Sequence, residues 1–302
     1  MGQPLVSILM CSFNREKYIT EAIESVLEST YKNFELIIID NCSEDRTPEI
    51  ARSYELKDPR IKVFQNKTNI GQFPNRNKAA QLAKGKYLKY LDSDDKLYKD
   101  GLETMISAME MHPEAGMGVS YYFKSVKIHE DELPRQLSQQ EAYVNHYMHG
   151  GLLFPGPSFT IYRSDFFFLA KGFQQAYGVS ADTHFNLVLA ALAPIVVFKN
   201  NTTYWRIHPD QLSSNQKTYH LAIEKYLLDK EIVNHVNCPL PANVKGEILF
   251  TFKVLNARNL LFKHLLKFQI SSFRKLNNVY SVRWTYFFLC VIPLKISKYF
   301  LH

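Results

Sequence analysis

The first hundred residues alternate short apolar runs with segments that have the apolar spacing of a helix. This alternation predicts strands at Leu5–Cys11, Phe34–Asp40, Ile61–Gln65 and Tyr87–Leu91, with a helix after each of the first three. Strands and helices at such spacing indicate an α/β fold built on a doubly wound, mostly parallel sheet. Sheets of this class bind ligands beyond the carboxyl ends of their strands, so functional residues are expected there.

An acidic cluster follows the fourth predicted strand, at Asp92-Ser93-Asp94-Asp95. Its three carboxylates repel one another at neutral pH, and a divalent cation would compensate for their charge. Oxygen ligands favour Mg²⁺ or Mn²⁺, which are usually held by one or two carboxylates together with substrate phosphates. The alternative is a solvated acidic turn at the start of the next helix, and the cluster by itself leaves both interpretations open.

Polar side chains also follow the first two predicted strands. Asp40 ends the second strand, where its carboxylate could accept hydrogen bonds from a ribose or a base; an Asx-type turn is the alternative. Asn14 and Arg15 follow the first strand and leave the same two interpretations open.

The pattern is less regular after residue 116. A strand is predicted at Met117–Phe123, and the polar stretch 124–151 is expected to be mostly loop with room for one helix. Further strands are predicted at Phe159–Tyr162, Ile195–Phe198 and Tyr204–His208, with a helix at Asp182–Leu192. From about Gln216 the pattern is helical, so an α/β domain over residues 1–214 and a helical extension over 215–302 are predicted.

Composition narrows the class of protein. With 46% hydrophobic and 22% charged residues the chain has globular proportions. Its four cysteines lie far apart without C-x-x-C spacing, which argues against a zinc site and fits a reducing compartment. We expect no signal peptide and no ordinary transmembrane helix, because no run of 18 apolar residues occurs.

The positive net charge is confined to the C-terminal part. Residues 241–302 carry ten basic residues and one acidic residue, a balance of +9, whereas residues 1–240 have a balance of −2. Within this tail, Trp284–Leu294 is apolar but too short to span a bilayer, and lysines and arginines flank it. This pattern favours an interfacial helix on an anionic membrane surface, with packing on the domain or in a dimer as the alternative. Nucleic acid is not an expected partner, because no recognised binding module accompanies the tail.

Several short motifs occur in order over about residues 4–100. They are Pro4–Ile8, Ser12-Phe13-Asn14, Ala22–Leu27, Ile39–Ser43, Asn69-Ile70-Gly71, Arg76-Asn77, Ala83–Tyr87 and Leu91–Asp95. Each is weak alone, but their order is much more specific, and together they resemble the family 2 glycosyltransferases, with Leu91–Asp95 resembling the D-x-D motif of that family.

This resemblance implies a GT-A fold and a nucleotide-diphospho-sugar donor, with UDP the frequent choice in the family. It implies that Phe13 lies beside the base, that Asp40 contacts the base or ribose, and that Arg76 helps to bind the nucleotide. Asp92 would face the ribose. Asp94 would ligate Mn²⁺ or Mg²⁺, which bridges the diphosphate oxygens and stabilises the leaving group; Asp95 is an additional candidate.

The resemblance extends more loosely to about residue 214. Asp182 stands where family members carry the aspartate of an E-D pair, their general base, but Ala181 replaces the glutamate. Without the resemblance, Asp182 would be interpreted as a helix N-cap. His208 lies in a segment similar to the family's "Y-R-x-H…S" element, where the histidine ligates the metal or touches the diphosphate. Arg206 would neutralise phosphate charge.

The predicted function is metal-dependent, inverting transfer of a sugar to a hydroxyl of a glycan acceptor, in cell-surface polysaccharide biosynthesis. A lipid-linked acceptor and a cytoplasmic protein on the cytoplasmic face of the membrane are expected. One alternative is an inactive membrane-associated scaffold, which Ala181 supports. Another is a sugar nucleotidyltransferase, although Cys11–Arg15 lacks the glycines of its usual phosphate loop.

Overall fold

The computed structural model describes residues 2–120, 128–199, 202–209, 218–265 and 270–281, together with 283, 285 and 286. They fall into two units, Met1–Ser214 and Asn215–His302. The strands of the first unit are β1 (Val6–Ser12), β2 (Phe34–Asp40), β3 (Ile61–Gln65), β4 (Tyr87–Tyr90), β5 (Lys96–Leu97), β6 (Met117–Ser120), β7 (Arg135–Leu137), β8 (Thr160–Arg163), β9 (Ile195–Phe198) and β10 (Thr203–Tyr204). Its α-helices are α1 (Ile19–Leu27), α2 (Thr47–Glu55), α3 (Gln72–Leu82), α4 (Gly101–Met111), α5 (Gln139–His149), α6 (Ser164–Leu169) and α7 (Ala181–Leu192).

Eight strands form one sheet in the order β3-β2-β1-β4-β8-β6-β9-β7. The first four are mutually parallel, whereas β8 is antiparallel to β4 and β6, and β7 is antiparallel to β9. The predicted α/β fold with a mostly parallel sheet is confirmed. The chain runs outward from β1 to β3 and then returns to the other side of β1 to form β4. The crevice between the carboxyl ends of β1 and β4 is therefore the switch point at which open α/β sheets bind ligands.

The central strands are buried on both faces. Val6 to Met10 of β1 are all inaccessible to solvent, which explains why the sequence shows a continuous apolar run instead of alternation. Side chains of α1, α2 and α4 share one core with β1 and β2, and α3 also packs on these two strands. A second group of packed aromatic rings comprises Tyr90, Tyr162, Phe167, Phe173 and Phe185.

The stretch expected to be mostly loop contains β7 and α5. Helix α5 begins with a capping box: Ser138 Oγ accepts from the Glu141 amide at 3.3 Å, and the Glu141 carboxylate accepts from the Ser138 amide at 2.9 Å. Strand β6 is described over Met117–Ser120, and the rest of the strand predicted at Met117–Phe123 lies outside the described residues.

The strand predicted at Tyr204–His208 is wrong beyond Tyr204. Within the described segment 202–209, only Thr203 and Tyr204 pair, antiparallel with β5. The Arg206 amide donates to Asp95 Oδ1 at 3.1 Å and its Nε donates to the Asp94 carbonyl at 2.9 Å. The backbone therefore turns toward the acidic cluster and leaves the ladder.

Asn186 fixes helix α7 to the chain that precedes β8. Its fully buried Nδ2 donates to the carbonyls of Leu153 and Pro155 at 3.2 and 3.1 Å, and its Oδ1 accepts from the Tyr162 hydroxyl at 2.8 Å. We call residues 153–158 the bridge segment. Asp182 lies four residues before Asn186 and so shares its side of α7, which ties the position of Asp182 to the bridge segment.

The second unit is helical, as predicted. Its helices are α8 (Thr218–Asn234), α9 (Ala242–Asn259), a π-helical turn at Leu260–Leu265 and α10 (Ile270–Tyr280), and α9 and α10 share a small apolar core. In the part of the chain that the structure describes, no helix is long and apolar enough to cross a membrane. Most of the predicted interfacial segment, Trp284–Leu294, lies outside the described residues.

Asn186→Leu should lower the free energy of unfolding by about 2–3 kcal/mol, because a buried hydroxyl and two buried carbonyls lose their partner. Urea unfolding followed by circular dichroism measures this change. Asn33→Leu, at an exposed asparagine of the same unit, is the control. Equal midpoints for the two variants would contradict the structural role of Asn186.

Candidate active site

The loop after β1 forms one wall of the crevice between β1 and β4. Asn14 adopts a positive φ of 52°, and its amide donates to Ser43 Oγ at 2.8 Å. The Arg15 amide donates to Thr47 Oγ1 at 2.7 Å. These bonds hold the loop against the loop after β2 and leave the Phe13 ring 41% exposed at its surface.

Asp40 lies at the end of β2 and is completely buried. Its carboxylate accepts from the amide and the hydroxyl of Ser43 at 2.9 and 2.5 Å, and from Gln65 Nε2 at 3.3 Å. Asp40 therefore closes a turn after β2, as the alternative interpretation expected, although its carboxylate bonds the amide three residues on instead of two. Since Ser43 in turn holds Asn14, Asp40 supports the loop that carries Phe13.

Arg76 forms the floor of the crevice. It projects from α3, is 3% exposed, and its Nη2 lies 2.6 Å from Asp92 Oδ1. Its guanidinium also lies over the rings of Phe73 and Phe173, at 5.7 and 6.0 Å from their centroids. Burial alone would lower the pKa of Arg76, but the charge and hydrogen bond of Asp92, together with other neighbouring groups that include Asp182, outweigh burial and the pKa is raised. Arg76 therefore stays ionised.

Asp94 is the centre of the acidic turn. Its Oδ2 lies 2.9 Å from Arg15 Nε and 3.1 Å from His208 Nε2. Arg206 Nε donates to the Asp94 backbone carbonyl at 2.9 Å, and its Nη2 pairs with Glu21 Oε2 at 3.0 Å. Cationic side chains from both ends of the first unit thus converge on one aspartate.

Asp95 has a different environment from Asp94. It is 3% exposed, and burial together with the neighbouring charge of Asp92 raises the pKa of Asp95 to about 7. Its carboxylate accepts from the Arg206 amide at 3.1 Å and from the Ser158 hydroxyl. Asp95 therefore fastens the 203–208 segment to the acidic turn.

His208 reaches Asp94 through its Nε2, and its ring packs against Tyr18 with centroids 4.4 Å apart. Within the described residues, His208 Nδ1 is buried and has no hydrogen-bond partner. No group of three or more His, Cys, Asp or Glu side chains in those residues has the geometry to hold a metal. One carboxylate oxygen and one imidazole nitrogen do fit a Mn²⁺ or Mg²⁺ ion whose remaining ligands are phosphate oxygens and waters.

Asp182 occupies the second position of α7, and its Oδ1 accepts from the Thr183 amide at 2.7 Å. Burial raises the pKa of Asp182, while Arg76 and the Thr183 amide oppose the rise. A Cβ atom added to Gly156 of the bridge segment would lie 3.8 Å from Asp182 Oδ2. The helix N-cap is Ser180, so the alternative N-cap role for Asp182 is wrong. Ala181 is fully buried beside it.

Two further residues, Ser158 and Lys89, connect these groups, and sequence reasoning assigned this connecting role to neither. The Ser158 carbonyl accepts from Lys89 Nζ and from Thr203 Oγ1, and the Ser158 hydroxyl accepts from the Asp92 amide at 3.0 Å. Lys89 is fully buried in β4. A lysine in the middle of the apolar run Tyr87–Leu91 was the available signal, because such a charge requires a partner.

The comparisons with known proteins fit this geometry. Residues 7–168 match the family described as glycosyl transferase family 2. The chain belongs to glycosyl transferase family 2. A candidate teichuronic acid biosynthesis glycosyltransferase of Bacillus subtilis strain 168, TuaG, is 43% identical over 107 residues, which are 35% of this chain and 42% of TuaG. An uncharacterized glycosyltransferase of Haemophilus influenzae is 26% identical over 85% of this chain and 80% of its own length. The chain spans less than half the length of TuaG.

Solved structures confirm the GT-A fold. S. aureus TarS 1-349 in complex with UDP-GlcNAc is similar with a TM-score of 0.67 at 20% identity, over 97% of this chain and 87% of that one. The mannosyltransferase PcManGT from Pyrobaculum calidifontis, in complex with GDP-Man and Mn²⁺, has a TM-score of 0.51 at 16% identity, over 74% and 61% of the two chains. The resemblance to family 2 seen in the ordered motifs is confirmed.

Lys89→Met should change how stability depends on pH. Burial lowers the pKa of Lys89 to about 7, whereas an unfolded lysine titrates near 10.4. Between these values the unfolded chain holds the extra proton, so the free energy of unfolding of the wild type rises with pH. We expect the wild type to gain about 2 kcal/mol over Lys89→Met between pH 7 and 9 in urea titrations. Lys62 is exposed, so the free energy of unfolding of Lys62→Met should depend on pH as that of the wild type does. The same pH dependence in all three proteins would contradict this prediction.

Proposed function

We propose that this family 2 member transfers a sugar from a nucleotide-diphospho-sugar, of the UDP type, to a hydroxyl of a glycan acceptor. The observation that carries the proposal is the meeting of Asp94, Arg15 and His208 at the switch point of the sheet, with a buried aspartate, Asp182, in the same electrostatic environment as Arg76. TarS, which shares the fold, was solved with UDP-GlcNAc, and this supports the choice of nucleotide.

The donor would lie along the carboxyl ends of β1, β2 and β4. In this arrangement the exposed Phe13 ring lies beside the base, and Asp40 shapes the base site through Ser43 and Asn14. Asp92, oriented by Arg76, faces the ribose.

The diphosphate end of the donor would lie at the acidic turn. Asp94 and His208 are the proposed ligands of Mn²⁺ or Mg²⁺, and a bound ion there would supply Lewis-acid stabilisation of the diphosphate leaving group. Arg206 adds positive charge and is held in place by Glu21 and Asp95. Asp95 acts by anchoring this segment.

Asp182 is the proposed general base. The acceptor hydroxyl oxygen forms a bond to the anomeric carbon as the bond from that carbon to the diphosphate oxygen breaks on the opposite side, which inverts the configuration. The hydroxyl proton passes to the Asp182 carboxylate. A base with a raised pKa is well matched to this proton transfer near neutral pH.

The acceptor is proposed to be a growing cell-surface polysaccharide, in part because TuaG is named for teichuronic acid biosynthesis. A lipid-linked acceptor agrees with the balance of +9 over residues 241–302, since basic segments are attracted to anionic membrane surfaces. In this proposal residues 1–214 are the catalytic domain, and the extension 215–302 holds it at the cytoplasmic face of the membrane.

An inactive scaffold with the same fold is the second candidate, and the buried Ala181 in place of the family glutamate favours it. Retained Asp182, with its pKa raised by burial, favours the enzyme. Turnover of a nucleotide sugar separates the two.

Asp94→Asn should lower nucleoside diphosphate release from the preferred UDP-sugar by about 100-fold, because it weakens the stabilisation of the leaving group. Release is measured from a panel of nucleotide sugars with Mn²⁺, with Mg²⁺ and with chelator, in the presence of acceptor glycans. Asp131→Asn, at an exposed aspartate, is the control. If no donor released a nucleoside diphosphate and nucleotide binding did not depend on metal, the enzyme would be contradicted and the inactive scaffold would be the supported candidate.

Asp182→Asn should lower kcat by about 10²–10⁴-fold while donor binding is retained. The wild-type kcat/KM should rise with pH through an apparent pKa above the usual aspartate value of about 3.9, since only the ionised carboxylate accepts the proton. This acidic limb should disappear from the residual activity of Asp182→Asn. An unchanged limb in that variant would assign the titration to another group.

A further inference from the structure

Arg15 contacts the carboxylate that the proposed metal requires. Its Nε lies 2.9 Å from Asp94 Oδ2, and the two side chains are only 16% and 15% exposed. Arg15 Nη1 also donates to the carbonyls of Phe13 and Asn14, at 3.1 and 3.0 Å. The side chain is therefore held in a defined position at the edge of the crevice, with its charge directed at Asp94.

The other two arginines of the site have different partners. Arg76 pairs with Asp92 and is buried beneath it, whereas Arg206 bonds the Asp94 backbone and Glu21. Among the described residues, Arg15 is thus the arginine whose ion pair is with the Asp94 carboxylate. His208 Nε2 lies 3.1 Å from the same Asp94 oxygen, so Arg15 and His208 both contact the oxygen atom that would bind the metal.

We propose that Arg15 is an electrostatic latch, which holds Asp94 in the donor-free protein and moves to the donor diphosphate when the nucleotide binds. This inference rests on the proposed function, since it assumes that a diphosphate and a divalent cation meet at Asp94. The latch implies an order of binding: the cation would be coordinated by Asp94 when the nucleotide binds, and not before.

The charges explain why the latch would couple the two ligands. A divalent cation arriving alone is repelled by the Arg15 guanidinium and must displace it from Asp94. A diphosphate offers the guanidinium a new anionic partner of suitable geometry, so Arg15 can leave Asp94 without losing a charge-assisted hydrogen bond. Nucleotide and cation then raise each other's affinity by the same factor, as linkage requires.

Mn²⁺ binding measured by electron paramagnetic resonance, with and without UDP, tests the latch in the full chain without any turnover. Arg15→Gln should bind Mn²⁺ alone at least about fivefold more tightly than the wild type. The enhancement of Mn²⁺ affinity by UDP should shrink by a similar factor. Arg15→Lys, which keeps the charge, should retain most of the coupling. Arg46→Gln removes an arginine whose ion pair with Glu49 is exposed, and it should behave like the wild type.

Three results would overturn the latch. Arg15→Gln could match Arg46→Gln in Mn²⁺ affinity, or it could keep the full enhancement by UDP. Asp94→Asn could bind Mn²⁺ as tightly as the wild type, which would place the ion elsewhere while leaving metal dependence intact. Failure of the proposed function is distinguishable from these results, because the wild type would then bind neither UDP nor Mn²⁺ in the presence of UDP.

Discussion

The repulsion among Asp92, Asp94 and Asp95 is the constraint on which the rest of the site depends. The fold meets it differently at each carboxylate. Asp92 pairs with a buried arginine, Asp94 contacts Arg15 and His208, and Asp95 is buried with hydrogen-bond donors around it. These partners come from α3, from the loop after β1 and from the segment after β10. Parts of the first unit that are distant in sequence therefore meet at the acidic turn, because its charges require their partners.

The bridge segment connects this turn to the proposed base. Asn186 holds it at Leu153 and Pro155, while at its other end Ser158 bonds the Asp92 amide and accepts from Lys89. A shift of the acidic turn would therefore be transmitted to α7, which carries Asp182. Such coupling suits transfer chemistry, since a misplacement of the reacting groups by about 1 Å can slow a reaction by about 10²-fold.

The sequence was informative where a single physical rule dominated. The strand Phe34–Asp40 was predictable because both faces are buried, and the apolar run records that burial. The helix allowed within residues 124–151 is present as α5, but its start was not located from the capping-box spacing of Ser138 and Glu141, because the polar composition around them suggested loop. The strand predicted through His208 failed because Arg206 satisfies its backbone amide at Asp95, a tertiary contact that local pattern does not contain. Arg15 was noticed beside the first strand, but its partner lies 79 residues away and only the topology reveals it.

Asp94 and Asp182 illustrate how one crevice can give two aspartates different tasks. Asp94 contacts the Arg15 guanidinium and the His208 imidazole, two groups that a metal ion or a phosphate could exchange with. Burial raises the pKa of Asp182, which has no direct ion pair with any described residue, and the raised pKa favours exchange of a proton. Arg76 influences both the acidic turn and Asp182. It pairs with Asp92, and its charge opposes the rise in the pKa of Asp182. Because Arg76 is buried, its contact with Asp92 and its effect on Asp182 stay fixed, whereas a more exposed group such as Arg15 can change partners.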